Sequence, residues 1–234
     1  MNSNPQLFPV SPWEVGHPGA AEAVLRRMLH RADIDERSRV MDLGCGRGEL
    51  SMLVAREFGC SVVGVDDDQR SLETLRQTSQ DLATQIEARE ARFDQLPSQA
   101  PKFDAVLICR KLVCEFRVAA ATARDQLMNN GHLIIGYPVW VGRFVPNATL
   151  ELWQKRLGDP LRSPRELLEV LSDGGFEPEA IELVEDSALE AEYAGRESPD
   201  EGARPNPATL VRFALASCRR KNPDEKPPAS RHWR

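Results

Sequence analysis

No apolar run in this 234-residue chain approaches the roughly 20 residues that a membrane-spanning helix needs. The opening stretch, MNSNPQLFPVSP, has neither a basic nor an apolar leader region. The expectation is a cytoplasmic protein with no membrane partner. Cysteine is sparse and odd in number, at positions 45, 60, 109, 114 and 218, with no C-x-x-C pair. That spacing suggests neither a disulfide framework nor a structural zinc site, so no metal is expected and most of these thiols read as small buried apolar residues. Basic charge is short as well. The formal net charge is −6, and residues 177–201 hold ten Asp or Glu against one Arg, a surface that repels a phosphate backbone and makes nucleic acid an unexpected partner. Only the last sixteen residues, 219–234, reverse the balance, with six Lys or Arg against two acids. Pro223, Pro227 and Pro228 interrupt them, so they read as a disordered basic tail. With 41% hydrophobic and 28% charged residues, no internal repeat and no linker before residue 219, residues 1–218 read as one globular domain.

What the chain does have is concentrated between Arg39 and Asp66, RVMDLGCGRGELSMLVAREFGCSVVGVD. An apolar strand, a glycine-rich turn, a helix and a second apolar strand ending in an acid form one βαβ unit. Gly44, Gly46 and Gly48 remove side chains where the backbone leaves the first strand, so a ligand can lie against bare amides. Asp66, about twenty residues on, stands where a carboxylate accepts hydrogen bonds from the two hydroxyls of a ribose. A dinucleotide fingerprint would read G-x-G-x-x-G, whereas this turn reads D-L-G-x-G-x-G. Glu49 occupies the place of the fingerprint's third glycine, a carboxylate where a phosphate would have to sit. A NAD-type site and a purely structural βαβ unit are the alternatives.

Asp42–Gly48 resembles motif I of the S-adenosylmethionine-dependent methyltransferases with a Rossmann-like sheet, and VVGVD resembles their acidic ribose motif. The resemblance implies an enzyme with S-adenosyl-L-methionine as cofactor and S-adenosyl-L-homocysteine as product. It implies an α/β fold, a doubly wound, mostly parallel seven-stranded sheet with an antiparallel edge strand and helices on both faces. Cofactor contacts are implied at Asp42, Gly44, Cys45, Gly46, Gly48, Asp66, Asp67, Arg92, Phe93 and Cys109. Asp67 and Asp68 also read as helix N-terminal charges. At Arg92 the chain departs from the family, which has an acid there for the adenine amino group; backbone groups with Phe93, or Asp94, would then hold the adenine.

Short apolar strands are expected at about 39–43, 61–65, 86–91, 103–108 and 131–137, with helices between them and an antiparallel pair at 180–185 and 208–216. A first helix carries the apolar period Ala20, Val24, Leu25, Met28, Leu29. Asn129-Asn130-Gly131 is expected to cap a helix C-terminus, and Ser163-Pro164 to start another helix. Segment 139–161, apolar at first and then a capped helix from Asn147 to Leu157 closed by Gly158, is either a substrate lid or a packing helix. For catalysis the candidates are His17, as general base beside the Gly16–Gly19 turn, and Tyr137 at the end of the fifth strand. The Asn/Asp-Pro-Pro-Tyr/Phe signature of amino-group nucleic-acid methyltransferases is absent after the fourth strand, where Ile108-Cys109-Arg110-Lys111 stands. A small-molecule methyl acceptor is therefore expected. The alternatives are a protein or RNA methyltransferase recruited by the basic tail, a thiol-assisted metalloid methyltransferase using Cys109 and Cys114, and a non-catalytic cofactor-binding protein.

Overall fold

The computed structural model describes residues 11–13, 19–80, 86–96, 102–110, 114–143, 145–185 and 210–222. His17, Lys111, Phe144, Tyr193 and residues 223–234 lie outside them. Seven strands form one sheet in the order β3-β2-β1-β4-β5-β7-β6: β1 (Arg39–Leu43), β2 (Ser61–Asp66), β3 (Ile86–Glu90), β4 (Phe103–Ile108), β5 (Leu127–Val141), β6 (Phe176–Val184) and β7 (Leu210–Arg220). β1 to β5 pair in parallel, and β7 lies antiparallel between β5 and β6. The expected edge pair is present, and β7 reaches Arg220, so Arg219 and Arg220 belong to the sheet rather than to a tail.

Among the described residues six helices cover both faces: α1 (Gly19–Arg31), α2 (Glu49–Phe58), α3 (Gln69–Gln80), α4 (Phe116–Gln126), α5 (Asn147–Leu157) and α6 (Pro164–Asp173). Alternating strand residues divide the core. Val40, Val62, Ala105 and Leu107 pack with α1, α2 and Trp153 of α5, whereas Met41, Val63, Val106 and Ile108 pack with α4 and α6. In α1 the buried stripe is Ala21, Val24, Leu25, Met28 and Leu29, with Ala21 inside where Ala20 was expected. Ser163 starts α6 with a capping box to Glu166 and a proline in the first turn, and Gly158 closes α5 with φ 70°.

Asn129-Asn130-Gly131 does not cap a helix. α4 ends at Gln126, and the three residues lie inside β5. Phe103 pairs with Leu127 and Ala105 with His132, so two steps along β4 match five along β5, and Asn130 takes φ 64° in the resulting bulge. The left-handed tolerance of asparagine was legible, but it serves a bulge instead of a cap.

Segment 139–161 is bound into this body. Val141 closes β5, Trp140 N–H donates to the Arg162 carbonyl at 3.0 Å, and Trp153 is fully buried among core residues that include Trp13 and Phe213. Swinging the whole segment outward would extract Trp153, at about the 3–5 kcal/mol that loss of a buried tryptophan costs.

Candidate functional site

β1 has β2 on one flank and β4 on the other, so the chain reverses direction of winding at β1. Ligands of open α/β sheets bind outside the carboxyl ends of the strands at such a switch point. The glycine turn leaves β1 there and is pinned to β2, because Gly44 and Cys45 N–H both donate to the Val65 carbonyl, at 2.8 and 3.0 Å. Gly46 has φ 55°, and a Cβ on it would stand 2.4 Å from Arg110 Nη1. Gly48, the N-cap of α2 at φ 86°, would put a Cβ 2.2 Å from Leu75 Cδ1. Both positions need glycine for backbone angle, and Gly48 also for space against the buried Leu75.

Asp66 closes the other side of the crevice. Its Oδ2 accepts the Gly46 N–H at 2.7 Å and its Oδ1 accepts the Asp68 N–H at 2.9 Å. Each oxygen keeps lone-pair capacity for a further donor. The carboxylate is thus oriented by the turn itself and held ready for a diol. Of its neighbours, Asp67 is exposed, and Asp68 caps α3 by accepting Arg70 N–H and the Ser71 hydroxyl at 3.2 and 2.6 Å. Ala91 N–H donates to the Asp66 carbonyl at 3.1 Å, which ties the segment after β3 to the same edge. There Arg92 is exposed, Phe93 is half-buried, and Gln95 N–H closes a short 3₁₀ turn on the Arg92 carbonyl. The side chain of Asp94 lies outside the description.

Asp42 lies beneath the turn with 1% exposure and accepts the Ser51 hydroxyl at 2.6 Å. Burial pushes its carboxyl up to about 6, against the opposing pull of Ser51 and the Arg110 charge. The cost to the fold sets in as pH rises through the unfolded-state value of about 4 and is complete above the folded-state value of about 6. Asp42→Asn should therefore exceed the wild type in stability at pH 8, and by only about half as much at pH 5. The rise from the ordinary 3.8 to about 6 corresponds to at most about 3 kcal/mol. Urea midpoints of the two proteins at both pH values measure it, and equal stability at pH 8 would refute a charged buried Asp42.

Four of the five cysteines, 45, 60, 109 and 218, are buried rather than poised. Cys45 packs downward, its Sγ 3.0 Å from where a Gly64 Cβ would stand. Cys109 is 1% exposed, and burial pushes its thiol well above the ordinary range. Cys114 is half-buried, and none of the five forms a disulfide. Such thiols are poor nucleophiles, which weighs against the metalloid alternative. What Cys109 offers is its carbonyl, which accepts the Ser11 hydroxyl at 3.0 Å and so fastens the N-terminal lead over the end of β4.

Tyr137 lies inside β5 rather than at its end and is 2% exposed. Its hydroxyl is hydrogen-bonded to Asp159 Oδ2 at 3.3 Å, and burial, then the Asp159 charge, pushes the phenol well above its ordinary range. That environment suits a positioning group better than a base at neutral pH. The other catalytic candidate, His17, lies outside the described residues. Sequence reasoning missed the Glu49–Arg110 ion pair across the turn (2.6 Å), the buried Ser11 and the Asp159–Arg162 pair.

Residues 40–131 match a family model, that of the methyltransferase domain. Among curated relatives, a glycine/sarcosine/dimethylglycine N-methyltransferase of Actinopolyspora halophila is 34% identical over 91 residues, 37% of this chain and 16% of the relative. A ubiquinone biosynthesis O-methyltransferase of Cereibacter sphaeroides is 25% identical over 156 residues, 60% of each chain. The chain thus spans less than two thirds of both. In fold, the geranyl diphosphate C-methyltransferase of Streptomyces coelicolor A3(2), solved with Mg²⁺, geranyl diphosphate and S-adenosyl-L-homocysteine, superposes with a TM-score of 0.65 at 17% identity, over 85% of this chain and 77% of the other. With the glycine turn, the acid ending β2 and the seven-stranded order all in place, residues 40–131 match a methyltransferase domain and the sheet has the Rossmann-like fold.

Proposed function

We propose that this protein binds S-adenosyl-L-methionine in the crevice over the glycine turn and transfers its methyl group to a small-molecule acceptor by in-line displacement. The observation that carries the reading is the hydrogen bond from Gly46 N–H to Asp66 Oδ2 at 2.7 Å, which holds the ribose-binding carboxylate against the glycine turn. The site residues fit the group: Gly44 has open space where a Cβ would stand, and Asp66 supplies acceptors for a diol. When bound, the cofactor supplies a methyl already activated on a sulfonium. The chain's own task is then alignment and exclusion of water, from which about 7–11 kcal/mol of barrier reduction is available in favourable cases. Ser11 and Trp13, both buried against the end of β4 and the core, cover that edge. His17 is proposed as the base for an acceptor that arrives protonated, and Tyr137 as a positioning group held by Asp159.

The small-molecule class is favoured by the acidic composition and by the names of the relatives, which act on glycine derivatives, ubiquinone precursors and geranyl diphosphate. Among the described residues no helix is long and apolar enough to cross a membrane. Five thiols outside any disulfide suit a cytoplasmic location. Calorimetric titration with S-adenosylmethionine, S-adenosylhomocysteine and NAD tests the cofactor. Both adenosyl ligands should bind, NAD should not, and Asp66→Ala should lose roughly 10- to 150-fold in affinity, the 1.5–3 kcal/mol of a charged hydrogen bond. Unchanged affinity in that variant would refute the ribose assignment.

A further inference from the structure

Arg110 follows β4 and is the first residue beyond Cys109 on the crevice side of the sheet. Its Nη2 donates to Glu49 Oε2 at 2.6 Å, across the turn from the first residue of α2. Its Nη1 lies over Gly46, 2.4 Å from where a Cβ would stand, so a side chain there would have to displace it. Its Nε is buried and has no hydrogen-bond partner among the described residues. A guanidinium has five N–H donors in a fixed fork suited to a carboxylate. Here it rests on bare backbone, with a buried donor unspent, at the edge of the sheet where a ligand is expected. The two members of the pair are unequal: the Arg110 side chain is 22% exposed, that of Glu49 53%.

We propose that Arg110 receives the α-carboxylate at the amino-acid end of the cofactor, and that Glu49 occupies Arg110 in the ligand-free protein and yields it on binding. This rests on the cofactor reading above. With the ribose at Asp66 on β2, an extended adenosyl amino acid crosses β1 toward β4, two strand spacings or about 10 Å away. Arg110 stands at that far end. The exchange replaces one carboxylate by another, so the half-buried guanidinium never loses its counter-ion. Glu49, mostly in water, gives up little, as exposed ion pairs do. It also remains at the N-terminus of α2, where a negative charge is favoured, and it can face the ammonium of the same amino-acid group.

Two ligands separate the ends of the molecule: S-adenosylhomocysteine carries the amino-acid group, and 5′-methylthioadenosine lacks it. Titrated into the full chain, Arg110→Gln should lose roughly 10- to 150-fold in affinity for S-adenosylhomocysteine, as expected for a charged hydrogen bond. Its affinity for 5′-methylthioadenosine should stay unchanged, which also reports that the adenosine site is folded. Arg110→Lys, which keeps the charge but not the fork, should fall between. Glu49→Gln removes the competing carboxylate and should bind S-adenosylhomocysteine more tightly, with 5′-methylthioadenosine again unaffected. Equal weakening of both ligands in Arg110→Gln, or of neither, overturns the proposal and leaves the cofactor reading standing. Binding of neither ligand by the wild-type protein overturns both.

Discussion

Replacing Gly46 with valine is expected to abolish binding of both adenosyl ligands while leaving the fold assembled. Two penalties meet at this position. The backbone sits at φ 55°, where a β-branched side chain is strained by about 1–3 kcal/mol. The Cβ would also fall 2.4 Å from Arg110 Nη1, so Arg110 must leave, and its ion pair with Glu49 goes with it. Rearrangement of the turn would in addition displace the Gly46 amide that orients Asp66. Gly59→Val is the matched control. Gly59 has φ 67°, but its nearest neighbour to a new Cβ is Glu36 Cβ at an ordinary 3.6 Å, and it caps the far end of α2. It should share the loss of thermal stability and keep ligand affinity. The expected contrast is a loss of at least about 100-fold, or 2.7 kcal/mol, in Gly46→Val alone. Retained binding there would mean that the ligand does not approach the turn.

The contrast between Gly46 and Arg110 marks how far the sequence could be read. The turn and Asp66 were legible because a local backbone demand, positive φ with no room for a side chain, leaves a local trace in residue type. The strands were legible because buried parallel strands are short apolar runs. The partner of Gly46 was not, because Glu49 and Arg110 are 61 residues apart and meet only when β4 lies beside β1. Tyr137 was misplaced for a related reason. A proline at 138 reads as a strand end, yet pairing of β5 with β4 stops at Ile135 while its pairing with β7 continues to Val141. The proline thus falls where one flank has no β4 partner, and the strand carries Tyr137 into the core. The charge at Glu49 was noticed as an obstacle to phosphate, and its distant cation supplies the rest of its meaning.

Asp159→Ala should produce the largest loss of stability, about 3–5 kcal/mol, the cost of breaking a buried ion pair on one side. Asp159 is 6% exposed and gathers four donors from separate parts of the chain. Arg162 forks onto both carboxylate oxygens at 2.7 and 2.9 Å, Phe116 N–H at the start of α4 donates at 3.0 Å, and the Tyr137 hydroxyl lies at 3.3 Å. Truncation leaves a guanidinium, an amide and a phenol without their acceptor at a point where α4, β5 and the segment after α5 meet. The pH dependence runs opposite to that at Asp42. Burial raises the Asp159 carboxyl, but Arg162 and the Phe116 amide outweigh it and hold the group below its ordinary range. Its contribution is therefore fully present above the unfolded-state value of about 4 and is lost as pH falls through the lower folded-state value. Urea denaturation of wild type and variant at pH 7 should show the full gap, and the gap should narrow only under strong acid. A cost below about 1 kcal/mol at pH 7 would show that the pair behaves like one in open solvent, and that the wall carrying Tyr137 is held by apolar packing alone.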